Sequence, residues 1–490
     1  MVRLLTAVEK GLMLFNSYPF IFLFLPVVLL GYFVLCRRGD LAPVVWLALA
    51  SLTFYAFSGW RFVPLLAASI AFNYTVGYLL IEKKMRSEWR LAALTIGVGG
   101  DLLLLGIFKY AGFFAANLNA LFLTAIAVNI VLPVGVSFYT FTQIAFLVDA
   151  YRGQVARYAL PHYALFVTYF PHLIAGPILH HRDMIPQFER ADSKRADPHL
   201  ILCGLIVFGI GLFKKTGLAD GIQPLVSLAF GQAAPSFDQA WIGALAYTFQ
   251  LYFDFSGYSD MAIGMSLMFG IFLPLNFNSP YKSASIIEFW RRWHMTLSAF
   301  LRDYLYIPLG GNRHGRVLRY VNLMITMLLG GLWHGAAWTF VAWGALHGAY
   351  LCINHAWSHF APKPGLRLAP LARLAGFILT FAAVVVAWVF FRADSIAQAL
   401  SILATMADPG HIVLGRSEIT KAALIAIYAA AAWCLPNTQQ IMRYDHTNRT
   451  VGEHLRDVQL RPWFLYASAA VLAFGILGIQ QHSEFIYFRF

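Results

Sequence analysis

The chain has 490 residues, of which 59% are hydrophobic and 12% are charged, and its formal net charge is +13. Soluble domains carry about 25% charged residues, so this composition excludes a soluble protein of this size. The basic excess is typical of the cytoplasmic loops of a polytopic membrane protein, and we expect no nucleic-acid partner.

Apolar runs long enough to cross a bilayer recur along the chain. The first three cover residues 19–36, 41–57 and 62–81, each near the ~20 residues that a membrane-spanning helix needs. We predict an all-α polytopic membrane protein with roughly ten to thirteen membrane segments. No stretch is polar enough for a soluble domain, so residues 13–490 are predicted to form one transmembrane domain. Residues 1–12 are interpreted as an N-terminal extension or a start-site artefact.

Basic loops orient the predicted segments. Residues 82–90 contain four Lys or Arg residues, and the polar segment 437–462 contains four Arg residues. The positive-inside rule assigns both loops to the cytoplasm. With one further crossing at residues 463–479, both the N-terminus and the C-terminus are predicted to lie outside.

The middle of the chain contains short segments that glycine, proline and charged residues interrupt. Residues 170–177 and 273–276 are examples. Non-helical backbone at membrane depth is tolerated only where protein or a water-filled cavity surrounds it. We therefore predict broken or re-entrant helices around an internal cavity, and the alternative is a set of ordinary loops between crossings.

Two polar clusters precede the most informative histidine. Residues 250–261 place Asp254, Tyr258 and Asp260 in an otherwise apolar stretch. Their carboxylates are expected either to join buried ion pairs or to line the side from which an acceptor enters. Residues 288–298, read as one interfacial helix, place Glu288 and Arg292 on the same side as an i,i+4 ion pair.

His334 is the strongest single candidate for a functional residue, because it lies within residues 324–341, which contain no charged side chain. A lone membrane histidine can simply hydrogen-bond a neighbouring helix. Here glycines flank it closely on both sides, and glycine lets another backbone or a ligand approach the imidazole. We predict that His334 acts as a general base. His294 has polar neighbours that could accommodate it structurally.

Other chemistries fit poorly. The sequence contains no Walker A loop, GxGxxG fingerprint, GxSxG elbow or HExxH motif. The four cysteines lie singly and are expected to be core thiols. We predict no metal site.

The polar motifs, in their order, resemble the membrane-bound O-acyltransferase family. The likeness is carried by residues 288–304 and by Gly330 to Gly335. Supporting stretches lie at residues 132–139, 170–177, 250–261, 309–313, 388–393 and 485–490. The resemblance covers the chain after residue 12. Within the family, the chain most resembles the alginate O-acetylation branch, and cellulose-acetylation proteins are also similar. Arg489 stands where glutamine is more usual.

The resemblance implies a ring of roughly ten to thirteen tilted, re-entrant and interfacial helices around a central tunnel, each long enough to cross or enter the bilayer. It implies that the catalytic core lies at residues 130–350, that His334 is catalytic and that His294 is its partner near the tunnel. Acetyl-CoA would be the donor substrate, with no permanently bound cofactor. The protein would lie in the bacterial inner membrane and move acetyl groups for O-acetylation of an exopolysaccharide, alginate or a similar polymer. An extracytoplasmic acetyltransferase of the SGNH type, AlgJ- or AlgX-like, would be its partner.

Further residues receive supporting roles. The predicted tunnel and support residues are Trp333, Asp303, Asp254, Asp260, Ser298 and Tyr258. Trp333, His294 and nearby backbone N–H groups are candidate donors for an oxyanion. The predicted contacts to the phosphates of coenzyme A are Arg291, Arg292, Arg302, Arg313 and Lys282. Membrane topology or lipid headgroups would equally explain any one of these basic residues.

Two other functions remain open from sequence. Broken helices with internal polar residues also suit a polysaccharide exporter or another transporter, although the sequence shows no two matching halves. A scaffold that recruits polysaccharide-modifying enzymes without catalysis is the third possibility.

Overall fold

The computed structural model describes residues 13–82, 85–174, 176–189, 195–232, 234–360, 368–412, 415–444, 455, 458, 460–479 and 485–486. The N-terminal extension predicted for residues 1–12 lies outside these ranges, as do Lys83, Lys84, Arg449 and Arg456 of the two orienting loops. The regular elements within the described ranges are all helices, without a strand. The prediction of an all-α protein is therefore confirmed.

The helices are numbered in chain order. The first ten are α1 Phe20–Leu35, α2 Leu41–Gly59, α3 Val63–Ile81, α4 Ser87–Leu105, α5 Ala111–Phe122, α6 Val136–Tyr151, α7 Leu160–Thr168, α8 Phe170–Leu173, α9 His181–Glu189 and α10 Pro198–Phe213. The next are α11 Asp220–Phe230, α12 Phe237–Met268, α13 Ile286–Trp290, α14 Met295–Leu301, α15 Arg316–His334, α16 Trp338–Phe360, α17 Ala369–Arg392, α18 Ile396–Ala407, α19 Arg416–Cys434, α20 Thr438–Met442 and α21 Pro462–Leu477. Single π-helical turns at Gly106–Tyr110, Lys214–Ala219 and Arg302–Tyr306 join neighbouring helices.

Four helical stretches within the described ranges are long and apolar enough to cross a membrane: Leu41–Ile81, Ser87–Phe122, Pro198–Phe230 and Ala369–Arg392. Three shorter helices, α1, α18 and α21, are also apolar. Helix α1 coincides with the first apolar run and α21 with the last crossing predicted from sequence, and the stretch Leu41–Ile81 covers the second and third runs. The protein is a multi-pass membrane protein, and the number of its crossings stays a prediction.

The chain divides into two compact units, each assembled from segments that are distant in sequence. The first comprises the described residues of Met1–Phe213, Tyr258–Pro274 and Met442–Phe488. The second comprises those of Lys214–Gly257 and Leu275–Ile441. The long helix α12 begins in the second unit and ends in the first. The sequence prediction of one catalytic domain stays a prediction.

An aromatic cluster lies in the core of the first unit. The ring of Phe54 lies 5.4 Å from that of Phe15, 5.6 Å from that of Phe20 and 5.9 Å from that of Phe170, measured between centroids. All four side chains are at most 1% exposed. This packing ties α1, α2 and α8 together. The short helix α8 is therefore held by tertiary contacts that its four residues could not supply alone.

A buried ion-pair triad lies in the second unit. The ammonium of Lys215, in the π-helical turn before α11, lies 2.9 Å from Asp220 and 2.7 Å from Asp254 of α12. The three side chains are 3%, 4% and 1% exposed. Asp254 is thus a member of a buried ion pair, one of the two roles that the sequence left open for it.

The prediction of one continuous helix over residues 288–298 is wrong. Helix α13 ends at Trp290 and α14 begins at Met295, because His294 takes a left-handed conformation with φ of 42°. Asn276 holds the break: its carbonyl accepts from the Met295 N–H at 3.0 Å, and its side-chain oxygen accepts from the Thr296 N–H at 3.3 Å. These bonds occupy two of the N–H groups that a helix start leaves without partners.

Candidate active site

His334 is the last residue of α15 and is 4% exposed. The helix stops there because Gly335 is extended, with φ of −159°. A Cβ on Gly335 would lie 2.0 Å from the ring of Phe340, so only glycine lets that ring pack beneath the end of the helix. The glycine of the Trp333–Gly335 motif is therefore required by the packing of Phe340, separately from any role of His334.

Helices α15 and α16 approach each other through two glycines. A Cβ on Gly331 would lie 2.3 Å from the carbonyl oxygen of Phe340, and one on Gly344 would lie 2.4 Å from that of Met327. Both obstacles are backbone atoms, which cannot rotate away. The close approach sets the position of His334 against α16 and its neighbours, because the histidine lies one helical turn beyond Gly331.

We expect Gly331→Ala to lower the free energy of unfolding by about 1–3 kcal/mol, the usual cost of overpacking. It should also reduce enzymatic activity, because separating the helices moves His334. Gly330→Ala is the matched control, since its Cβ would meet only the terminal methyl of Leu301, at 3.2 Å. Thermal unfolding of both variants in detergent tests this. Equal unfolding temperatures for the two variants would contradict it.

His294 is fully buried, and its orientation is fixed by Asn276. The Nδ1 atom of His294 lies 2.9 Å from the side-chain oxygen of Asn276, which also accepts from the backbone N–H of Thr296. Because that amide atom must be an oxygen, Nδ1 of His294 must carry the proton. His294 lies outside the four candidate spans, and burial lowers its pKa to about 3. The ring is therefore neutral near pH 7, and its Nε2 atom carries the lone pair.

The two candidate histidines share one aromatic pocket. Their ring centroids lie 6.4 Å apart. The aromatic neighbours of His334 are Trp333 at 5.0 Å, Trp343 at 5.0 Å and Phe391 at 5.3 Å, and that of His294 is Phe255 at 4.8 Å. Such a lining excludes water and strengthens electrostatic interactions inside the site.

Of the predicted support residues, Trp333 lies beside both histidines, with its ring centroid 6.4 Å from that of His294. Ser298 lies on α14 and donates to the carbonyl of Trp293 at 3.4 Å. Asp303 binds its neighbour Arg302 at 2.7 and 3.0 Å.

The remaining two support residues belong to the first unit. Tyr258 is buried there and stacks on Phe15 and Phe485 with centroid distances of 4.7 and 4.5 Å. Asp260 is 1% exposed on the same part of α12.

The predicted phosphate contacts differ in their partners and exposure. Arg292 pairs with Glu288 at 2.8 Å, as the i,i+4 spacing predicts, and Arg302 pairs with Asp303. Lys282 donates to the carbonyl of Leu435 at 2.7 Å. Arg291 and Arg313 are exposed.

Sequence reasoning assigned no role to three residues of the pocket. Asn276 was recognised only as part of a broken segment, and its bond to His294 depends on two loops that are distant in sequence. Trp290 donates its indole N–H to Nδ1 of His347 at 3.2 Å. His347 lies 13 residues after His334 and precedes Gly348, and this sequence pattern does not distinguish it from a core histidine.

Known proteins resemble this chain over most of its length. A family model described as MBOAT, membrane-bound O-acyltransferase family, matches residues 121–393. The "Peptidoglycan O-acetyltransferase" of Helicobacter pylori is 39% identical, over 100% of both chains. The "Probable alginate O-acetylase AlgI" of Azotobacter vinelandii is 45% identical over 85% of this chain and 82% of that protein.

A more distant relative is named for a different polymer. The "Teichoic acid D-alanyltransferase" of Streptococcus thermophilus is 28% identical over 52% of this chain and 67% of that protein. The matched family region contains both histidines of the pocket, the loop with Asn276 and the helices α15, α16 and α17.

Proposed function

The chain belongs to the membrane-bound O-acyltransferase family, and on that premise we propose that it moves acetyl groups from acetyl-CoA for O-acetylation of an exopolysaccharide, alginate or a similar polymer. As a member of this family it is a membrane-bound acyltransferase. The relatives with the higher identities are named as O-acetyltransferases or O-acetylases, which supports acetyl as the group transferred.

The enclosed pair of His334 and His294 carries the proposal. The two rings, 6.4 Å apart, are buried among aromatic side chains. Acyl transfer from a thioester to a hydroxyl needs a base for the hydroxyl proton and a site without competing water. This pocket meets both needs, with His334 as the proposed base.

The proposed reaction proceeds in two steps. The acceptor hydroxyl oxygen attacks the carbonyl carbon of the thioester, the electron pair of the C=O bond moves to its oxygen, and His334 takes the hydroxyl proton. The C=O bond then re-forms, the C–S bond breaks, and the leaving thiolate takes the proton from His334. His294 is proposed to position the acceptor beside His334.

Basic residues near the pocket are proposed to bind the donor. Arg291 and Arg313 are exposed, whereas Arg292 and Arg302 pair with carboxylates. We therefore favour the two exposed guanidinium groups for the phosphates of coenzyme A. The basic loops support a cytoplasmic donor face, both termini outside and a location in the bacterial inner membrane. An SGNH-type protein, AlgJ- or AlgX-like, is the proposed extracytoplasmic partner.

A complementation experiment tests this function. The chain is expressed in an alginate-producing cell that lacks its own enzyme of this family, and O-acetyl groups on the secreted polymer are measured by NMR. We expect acetylation to return and polymer secretion to stay unchanged. Membranes from these cells should transfer label from radioactive acetyl-CoA to the polymer. Failure of the chain to restore acetylation while present in the membrane would count against the proposal, and altered secretion would favour an exporter.

A second acceptor, peptidoglycan, is supported by the similarity that covers both chains completely. The chemistry of the pocket would be the same, because both polymers present sugar hydroxyl groups. Measuring O-acetyl groups on purified peptidoglycan from the same cells separates the two. Acetylated peptidoglycan with unmodified alginate would assign the acceptor to the cell wall.

A further inference from the structure

Two buried side chains of α16 carry N–H donors, and one of them contacts His334. Trp343 and His347 lie one turn apart on α16 and are 1% and 0% exposed. Their ring centroids are 4.8 Å apart, and the ring of Trp343 meets that of His334 edge-on at 5.0 Å. A group bound against this pair would therefore lie next to the proposed base.

The tautomer of His347 follows from its bond to Trp290. The indole N–H of Trp290 donates to Nδ1 of His347 at 3.2 Å. An accepting Nδ1 carries no proton, so the proton of His347 is on Nε2. Within the described part of the chain, neither this Nε2–H nor the indole N–H of Trp343 has a hydrogen-bond partner.

Two such donors side by side are costly without an acceptor. A buried donor that lacks a partner destabilises the folded state, and more than about 90% of buried polar groups in proteins are paired. A single oxygen atom has lone pairs for both donors. The indole N–H of the adjacent Trp388 also lacks a hydrogen-bond partner within the described residues, but it interacts electrostatically with the hydroxyl of Tyr281 and is therefore assigned to that side of the ring.

The surroundings of the pair favour an uncharged oxygen over a phosphate. The rings that contact His347 belong to Phe289, Trp290, Trp343, Tyr350 and Trp388. These rings lack the positive charge that would compensate a buried phosphate. The carbonyl oxygen of an acyl group fits this environment, and two N–H donors would stabilise it most strongly when it becomes an oxyanion.

We propose that Trp343 and His347 form an oxyanion-binding donor pair that holds the carbonyl oxygen of the acyl group beside His334. This inference rests on the proposed acyl transfer. When the acceptor hydroxyl attacks the thioester carbon, the electron pair of the C=O bond moves to that oxygen, and the two N–H groups bind it. The same pair returns to carbon when the C–S bond breaks and the thiolate leaves with the proton from His334.

Variants that remove each N–H group test the pair in the membrane transfer assay with radioactive acetyl-CoA. Trp343→Phe keeps the ring against His334 but removes the indole N–H, and we expect kcat to fall about 10²–10³-fold with KM unchanged. His347→Phe should lose a similar factor. His347→Gln should recover part of it, because its amide can donate near the position of Nε2.

Trp433→Phe is the matched control. Its indole N–H is also buried without a partner in the described chain, but its ring contacts Phe249, Phe377 and Phe381 and no histidine. It should keep the wild-type kcat. Thermal unfolding of each variant in detergent separates lost catalysis from lost folding, and the comparison of His347→Gln with His347→Phe remains decisive if Trp343→Phe is unstable.

Three outcomes are informative. Wild-type kcat in Trp343→Phe and His347→Phe, with activity still lost in His334→Ala, would overturn the donor pair alone and indicate an ordered water at this position. Raised KM or lowered unfolding temperature with unchanged kcat would assign a structural role and also overturn it. Absence of transfer by the wild-type chain would overturn the proposed function together with this inference.

Discussion

Replacing His334 by alanine is expected to lower kcat for acetyl transfer by about 10²–10⁴-fold, the contribution of a positioned general base. The side chain is buried at the end of α15, and its loss removes the imidazole without displacing the backbone that Gly335 shapes. Polymer secretion and the amount of protein in the membrane should not change. The measurement is label transfer from radioactive acetyl-CoA by membranes that contain equal amounts of each variant.

His359→Ala is the control for this prediction, because His359 is an exposed histidine near the end of the adjacent helix α16. It should retain wild-type activity. His294→Ala is expected to lose less activity than His334→Ala, and the double variant should be no worse than His334→Ala alone, because residues that act as a unit are not additive. Full activity in His334→Ala would remove His334 as the base of the proposed mechanism.

The membrane fold could be predicted from composition and periodicity because a bilayer imposes one solution on long apolar runs. The bounds of α1, α2, α3 and α21 follow those runs closely. The division into two interleaved units was not predicted. It depends on contacts between segments that are hundreds of residues apart, such as the side-chain hydroxyl of Tyr18 with the carbonyl of Ile476.

The break in the helix at His294 shows why the local sequence pattern could not predict the geometry of the site. Residues 288–298 satisfy the helical pattern, including the pair of Glu288 with Arg292 that the structure confirms. The left-handed backbone at His294 is instead stabilised by Asn276, which is 18 residues earlier in the chain. Sequence motifs indicated the histidines, whereas the partners that fix their orientation are visible only in three dimensions.

The donor pair could not be predicted from the sequence for a related reason. Tryptophan and histidine on an apolar helix are usually core residues, and nothing in their spacing tells whether their N–H groups have acceptors. The absence of a partner for Trp343 within the described chain depends on where every neighbouring side chain points. Sequence reasoning placed the oxyanion donors at Trp333 and His294. The assignment to Trp333 stays a prediction beside the new one, whereas the N–H of His294 is bonded to Asn276 and its Nε2 atom carries a lone pair, which cannot donate.

The buried triad of Lys215, Asp220 and Asp254 leads to the second large prediction. Lys215→Met is expected to lower the free energy of unfolding by about 3–5 kcal/mol, because it leaves two buried carboxylates without their shared cation. The adjacent Lys214→Met is the control. Lys214 donates to the hydroxyl of Thr438 at 2.9 Å, and losing one hydrogen bond should cost about 1 kcal/mol.

Removing the whole triad distinguishes the loss of a charge partner from the loss of packing. A variant that combines Lys215→Met with Asp220→Asn and Asp254→Asn no longer has buried charges to compensate, and replacing a complete ion-pair group by neutral residues is often close to neutral. We therefore expect it to recover most of the stability that Lys215→Met alone loses. Unfolding in detergent, followed by heat or by denaturant, measures all three variants. A triple variant as unstable as Lys215→Met would show that the aliphatic packing of Lys215, and not its charge, stabilises the start of α11 against α12.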